Sequence, residues 1–167
     1  MTPKILPLED IVGRLAPLRR EGRTVVQCHG CFDLMHIGHI RHLQAARAMG
    51  DVLVVTVTAD AHVDKGPGRP AFSQDLRAEA LAALACVDFV AIAPWSTAVE
   101  AIRLLRPDCY VKGQAGEDPG RRSARLQSEI ATVRALGGEV RFTHEAVFSS
   151  TALLSAHFGL PHAGSAR

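Results

Sequence analysis

Apolar positions along this chain change spacing repeatedly, from helical intervals of three and four to short unbroken runs and back. Residues 8–21 carry an apolar face at helical spacing that stops at Gly22, and Thr24–His29 then reads as a short strand. A helix is expected from about Gly38 to Met49, with Ile40, Leu43 and Ala46 on one face and Gly50 closing it. Asp51–Thr58 is a nearly continuous β-branched run, as in a strand covered on both faces. Ser73 is placed to cap a helix through Ala85, with Leu76, Ala80, Leu81 and Leu84 turned inward. Val87–Ile92 reads as a strand, and Ser96 or Thr97 opens a helix carrying Val99, Ile102 and Leu105. Cys109–Lys112 follows Pro107 as a fourth strand. A Gly-rich, charged loop then leads to a helix over Ser123–Leu136 with Leu126, Ile130 and Val133 in register. Gly137-Gly138 breaks that helix, Glu139–Thr143 forms a fifth strand, a last helix begins near Ser150, and residues from Gly159 on form a loose tail.

Strands alternating with helices predict the α/β class: a Rossmann-like, doubly wound, five-stranded parallel sheet with helices on both faces. A length of 167 residues suits one such domain, expected over 1–158 with the tail at 159–167. Sheets of this kind bind ligands at the carboxyl ends of their strands, so the loops after each strand are where chemistry is expected. Composition narrows the picture a little. At 47% apolar and 22% charged the chain is ordinary globular protein, with no apolar run long enough to span a membrane and no secretion signal at its start. A cytoplasmic location is expected. Nineteen Lys+Arg against 17 Asp+Glu give +2, too little to argue for nucleic acid as a partner. Cys28 and Cys31 have CxxC spacing, but no second close pair completes a zinc site, and buried thiols at a strand end are the simpler reading.

Eight histidines are more informative, because His36, His39 and His42 fall within seven residues. The loop after the first strand reads Gly30-Cys31-Phe32-Asp33-Leu34-Met35-His36-Ile37-Gly38-His39. His36 and His39, three apart with Gly38 between them, straddle a helix start and project from one side of its first turn. Unpaired backbone N–H groups and the helix dipole already favour anions there, and two imidazoles add N–H donors. Gly38 lets a bulky anion come close to the backbone. The site has the composition of a polyphosphate cradle. His42 is expected to face away from it into solvent, as are His62, His144, His157 and His162.

The run GCFDLMHIGH resembles the HxGH signature of the nucleotidyltransferase superfamily that includes the cytidylyltransferases. The resemblance extends over roughly Thr24 to Leu154 and is closer to the adenylyltransferase domain of bifunctional ADP-heptose synthase than to glycerol-3-phosphate cytidylyltransferase. Further matching stretches are Thr58-Ala59-Asp60, Lys65-Gly66 through Arg69-Pro70, Arg77, Val111-Lys112-Gly113 and Phe148-Ser149-Ser150-Thr151. The resemblance implies transfer of a nucleoside monophosphate, AMP from ATP, to a phosphorylated sugar such as heptose 1-phosphate, with Mg²⁺ and release of pyrophosphate. Its alternative is CTP with glycerol 3-phosphate or another polyol phosphate. It implies that His36 and His39 hold the nucleotide phosphates and stabilise the transition state. Lys65 and Arg77 would bind the incoming phosphate or the pyrophosphate. Gly30, Cys31, Phe32, Gly38, Lys112, Gly113, Ser149, Ser150 and Thr151 would line the nucleotide site, and Asp33, Asp60, Lys65 and Arg69 the acceptor site. A homodimer, and cooperation with a separate sugar kinase, are implied in the same way.

One stretch departs from that family. Where an acidic residue and a tyrosine usually follow Val-Lys-Gly, this chain has Gln114-Ala115-Gly116, which predicts a smaller, more flexible loop and a different acceptor contact. Rival readings are weaker. There is no GxGxxG after the first strand for a dinucleotide enzyme, no GK[ST] for a P-loop and no GxSxG for an α/β-hydrolase. A thiol module on Cys28 and Cys31, or a nucleotide-binding domain without activity, remain as lesser alternatives.

Overall fold

A computed structural model describes residues 3–144; the expected last helix near Ser150, the tail and Phe148–Thr151 lie outside the described residues. Among the described residues five parallel strands form one sheet: β1 (Val25–Gly30), β2 (Val52–Thr58), β3 (Phe89–Ala93), β4 (Cys109–Gly113) and β5 (Glu139–Thr143), in the order β3-β2-β1-β4-β5. The chain winds outward from β1 in both directions, which makes the β1–β4 boundary the switch point where a cleft opens at the carboxyl ends. Helices α1 (Leu8–Arg20), α2 (Ile37–Arg47), α3 (Gln74–Ala82), α4 (Val99–Leu105) and α5 (Ala124–Ala135) complete the Rossmann-like α/β fold. None of the helices among the described residues is long and apolar enough to cross a membrane.

Strand side chains alternate between two apolar layers. Val26, Cys28, Leu53 and Val55 pack with Leu43 and Ala46 of α2 and Ala78 and Leu81 of α3. Val25, Val52, Val54 and Ala91 point the other way, onto Leu8, Ile11 and Leu15 of α1 and Ala101 and Leu105 of α4. All seven β2 residues are buried, as its unbroken β-branched run predicts. The amino ends of the strands are closed by aspartates: Asp51, Asp108 and Asp88 accept from the backbone N–H groups of Thr24, Val25 and Leu53, each at 2.8 Å. At the β3 edge, Leu6 N–H donates to Val90 O at 3.0 Å and Val90 N–H to Lys4 O at 2.8 Å, so the N-terminal segment covers an edge that would otherwise be open to pairing.

Helix boundaries follow the caps. Ser73 and Ser123 accept from the N–H groups of Leu76 and Leu126, as Ncap serines should. The register of α3 differs from expectation: Leu76 and Ala80 are exposed, and Arg77, Ala78 and Leu81 face inward. The helix turns toward the sheet the face that carries an arginine, because that arginine has buried partners waiting for it.

Candidate active site

At the carboxyl edge, the turn from β1 into α2 sets the first half of the site. Its backbone is strained: Phe32 and Leu34 adopt φ values of +52° and +54°, which side-chain-bearing residues avoid at about 1–3 kcal/mol each. Asp33 between them offsets that cost. Its fully buried carboxylate accepts from the N–H groups of Ala71 (3.0 Å) and Phe72 (3.2 Å) and from Arg69 Nε (2.6 Å). Burial alone would raise the Asp33 pKa, but the Ala71 N–H, Arg69 and the Phe72 N–H outweigh it and hold the group below the usual carboxylate range. The turn is thereby riveted to the loop ahead of α3.

Beyond that turn, His36 is the Ncap of α2 and His39 its third residue. His36 Nδ1 accepts from Gly38 N–H (3.2 Å), and His39 Nδ1 accepts from His36 N–H (3.3 Å). This is a capping box built from two imidazoles. It fixes both tautomers: with Nδ1 accepting, each neutral ring carries its proton on Nε2. The rings lie 3.9 Å apart between centroids, tilted by 32°. Burial lowers the His39 pKa to about 4, with help from His36, Lys65 and His42; burial and Lys65 lower that of His36 as well. Neutral donors, then, are what the helix start presents.

Arg77 is placed differently from the expectation that it meets substrate phosphate. It is 1% exposed, and its guanidinium donates to Thr58 O (2.8 Å), Asp60 Oδ1 (2.6 Å), Phe72 O (3.0 Å) and Cys31 O. An arginine with that many protein acceptors ties the ends of β1 and β2 to α3. Asp33, Arg69, Asp60 and Arg77 line neither of the two cavities at this edge. As arranged here, these four hold the loops in place, because each satisfies the charge of another member of the set.

The second half of the site comes from β4. Lys112 Nζ donates to His29 O (3.3 Å) and lies 3.5 Å from Glu129 Oε2 and 5.5 Å from the Tyr110 ring. Glu129, on α5, was not singled out from sequence. It is 1% exposed and accepts from Tyr110 Oη (2.9 Å) and Ala98 N–H (3.1 Å). Burial would raise its pKa, but Lys112, the Ala98 N–H, His29 and Tyr110 lower it below the ordinary glutamate range. A buried carboxylate thus fixes the lysine at the switch point. His29 sits beneath, its two ring nitrogens against Thr56 Oγ1 (3.0 Å) and Thr58 Oγ1 (3.3 Å), and burial followed by Lys112 lowers its pKa to about 4.

His42 is a correction. It does not face solvent but enters the same cavity as His36 and His39, with Nδ1 2.7 Å from Thr143 Oγ1 at the end of β5. Its spacing of three from His39 was the available signal, since i and i+3 share a helix face. The segment after Gly113 forms two short 3₁₀ turns, Gln114–Gly116 and Pro119–Arg121, pinned by Arg122 to Gly116 O and Glu117 O at 2.8 Å each.

Two adjoining cavities result. The first is bounded by Gly30, Phe32, His36, Gly38, His39, His42, Gly113, Gln114 and Thr143; the second by Thr58, His62, Asp64, Ser123, Arg125 and Glu129. His29, Gly30, Cys31, Lys65 and Lys112 border both. Gly30 packs tightly, since a Cβ there would come within 3.1 Å of the Phe32 ring, which would have to give by a few tenths of an ångström.

Comparison with known proteins agrees with this geometry. The sequence profile described as cytidylyltransferase-like matches residues 27–154. The chain belongs to the cytidylyltransferase-like family. Among curated relatives it is 50% identical over 112 residues to the bifunctional protein HldE of Syntrophotalea carbinolica, and 45% identical over 113 residues to that of Helicobacter pylori strain G27. These alignments cover 66% of this chain but only 23% and 24% of the relatives, so the chain spans about a quarter of their length. A crystal structure of the lipopolysaccharide core biosynthesis protein from Thermoplasma volcanium superposes with a TM-score of 0.60 at 26% identity, covering 77% of this chain and all of that one.

Within the family framework, each motif among the described residues lies at a strand's carboxyl end or in the loop or helix that follows. All four cysteines are free, and Cys28 is buried in β1 with its pKa pushed far up by burial. Among the described residues, no group of three or more histidines, cysteines, aspartates or glutamates is gathered to hold a metal ion. The carboxylates of Asp33 and Glu129 have both oxygens committed to protein donors, whereas Asp60 accepts from Arg77 through Oδ1 and Asp64 lines the second cavity.

Proposed function

We propose that the chain transfers the nucleoside monophosphate of a nucleoside triphosphate, AMP from ATP, to a phosphorylated sugar such as heptose 1-phosphate and releases pyrophosphate. The observation that carries this reading is the paired cavity. One side is headed by the His36–His39 donors at a helix N-terminus, and Lys65 and Lys112 stand on the border it shares with the second. An acceptor phosphate oxygen forms the new bond to the α-phosphorus, the bond from that phosphorus to its bridging oxygen breaks, and pyrophosphate leaves with the electron pair. The attacking oxygen is anionic at neutral pH, so no side chain has to remove a proton. The barrier lies in bringing anions together and stabilising charge that spreads over the phosphoryl oxygens.

His36 and His39 would donate to those oxygens from Nε2, as neutral groups that need not be discharged. Lys65 and Lys112 would supply positive charge to both substrates, and Glu129 would keep Lys112 aimed. The acceptor would occupy the second cavity, where Arg125 and His62 add cationic or donor groups and Ser123 and Thr58 suit hydroxyls. Ser149, Ser150 and Thr151 would add phosphate contacts. A homodimer, and a sugar kinase that makes the acceptor phosphate, would complete the cycle.

The test is pyrophosphate release from four nucleoside triphosphates with Mg²⁺, crossed with sugar phosphates, glycerol 3-phosphate and phosphocholine, with His39→Ala as the blank. Release confined to one pairing and lost in the variant supports the reading. Preference for CTP with glycerol 3-phosphate would move it to a cytidylyltransferase, and silence without nucleotide binding would sink it.

A further inference from the structure

His42 has no role in the scheme above, yet it lies within the first cavity. We propose that His42, held by Thr143, is a specificity-determining residue that donates from Nε2 to an acceptor atom on the nucleobase. The inference rests on the nucleotidyl-transfer reading and adds to it the end of the cavity that takes the base.

Three observations carry it. The first is place. His42 stands three residues beyond His39, about 4.5 Å further along the helix axis from the N-terminus where phosphates collect. Gly113, Gln114 and Thr143 beside it in the lining are neutral, and the charge of Lys112, which also reaches His42, is countered by Glu129 at 3.5 Å, whereas Lys65 acts uncountered on His36 and His39. With the phosphates drawn to the charged end, the nucleoside is left for the neutral one.

The second is the tautomer. Thr143 is buried, and among the described residues His42 Nδ1, at 2.7 Å, is the only partner of its hydroxyl. If the hydroxyl donates to Nδ1, its proton is satisfied and the ring carries hydrogen on Nε2. The opposite tautomer would leave the buried hydroxyl hydrogen without an acceptor, which costs about 1–3 kcal/mol. The third is charge: burial, then Lys112, lowers the His42 pKa to about 4, so at neutral pH the ring offers a hydrogen bond and no net charge. A fixed neutral donor discriminates between base edges by their acceptor positions, whereas a charged one would be drawn to phosphate. Nε2 has no hydrogen-bond partner among the described residues.

The experiment is calorimetric titration of the full chain with ATP, CTP and inorganic tripolyphosphate, with thermal melting as a check on folding. His42→Phe keeps a ring but removes the donor. It is expected to weaken the preferred nucleotide about tenfold, to shrink the ratio between the two nucleotides and to leave tripolyphosphate unchanged. His42→Gln, which can return an N–H near the Nε2 position, should recover most of the loss. Thr143→Val should weaken nucleotide binding and spare tripolyphosphate, giving a second route should His42→Phe fail to fold. Equal loss for tripolyphosphate would make His42 a phosphate ligand and overturn the proposal. So would an unchanged nucleotide ratio, which would place the contact on the ribose. Wild-type chain that binds tripolyphosphate but neither nucleotide would overturn the reading beneath it as well.

Discussion

The His36–His39 pair and the Asp33–Arg69, Asp60–Arg77 set stand a few residues apart at the same sheet edge, and both are rich in groups that bind anions. They differ in what satisfies them. The histidines use one ring nitrogen each on the backbone of their own helix and turn toward a cavity. The aspartates and arginines close on one another, with Arg69 2.6 Å from Asp33 and Arg77 2.6 Å from Asp60, and line no cavity. A polar cluster that contains its own counter-charges is scaffolding, and one that lines a cavity without counter-charges is available for chemistry. The scaffold has a specific load to bear, namely two residues at positive φ in the turn that delivers the histidines.

The sharpest break in that comparison is His39→Ala. It should lower kcat about 10³-fold, near 4 kcal/mol of transition-state stabilisation, while the melting temperature moves little. Arg77→Leu should do the reverse. Losing the guanidinium strands three carbonyl acceptors and the Asp60 carboxylate, and chemical denaturation should show about 3 kcal/mol of lost stability. Activity per folded molecule should fall far less than in His39→Ala. If Arg77→Leu folds normally and loses kcat instead, the assignment of the two clusters is inverted.

That distinction sets the limit of what could be read from the chain. The α/β class, the five strands and the His36–His39 pair were legible because each is carried by neighbours in sequence: periodicity for the strands and helices, a spacing of three for the histidines. Arg77 resembled a phosphate ligand because an arginine on a helix is normally solvated, and the carbonyls that bury this one come from Cys31, Thr58 and Phe72. The α3 register differs from its apolar periodicity for the same reason, because that periodicity assigns no inward place to a charge. Glu129 and Thr143 gave no local signal; their partners lie 17 or more residues away, across strands that only the fold brings together.

Glu129→Gln sharpens the comparison from its middle, because Glu129 has a counter-charge and also borders a cavity. The amide can still accept from Ala98 N–H but no longer anchors Lys112 electrostatically. The expected result is a KM for the triphosphate raised about tenfold, near 1.4 kcal/mol, with a smaller change in kcat. A Lys112 that only supports the fold would move the melting temperature and leave KM where it was.

Titration separates the two clusters by smaller effects, because they lose stability in different pH windows. His29, His39 and His42 have folded pKa values near 4 against an ordinary 6.5, so between those values the unfolded chain takes up protons that the folded one refuses. Their contribution is complete above pH 6.5 and is lost as pH falls from there toward 4. Asp33 and Glu129 are depressed carboxylates, so their contribution holds above the ordinary carboxylate pKa and disappears only as pH drops through their lowered folded values. Melting temperature should therefore fall in two stages, a first decline from pH 6.5 toward 4 and a second below it. His39→Asn should flatten part of the first decline, and Asp33→Asn part of the second. If Asp33→Asn instead changes the slope between pH 6.5 and 4, the two clusters titrate as one, and the division between scaffold and site fails.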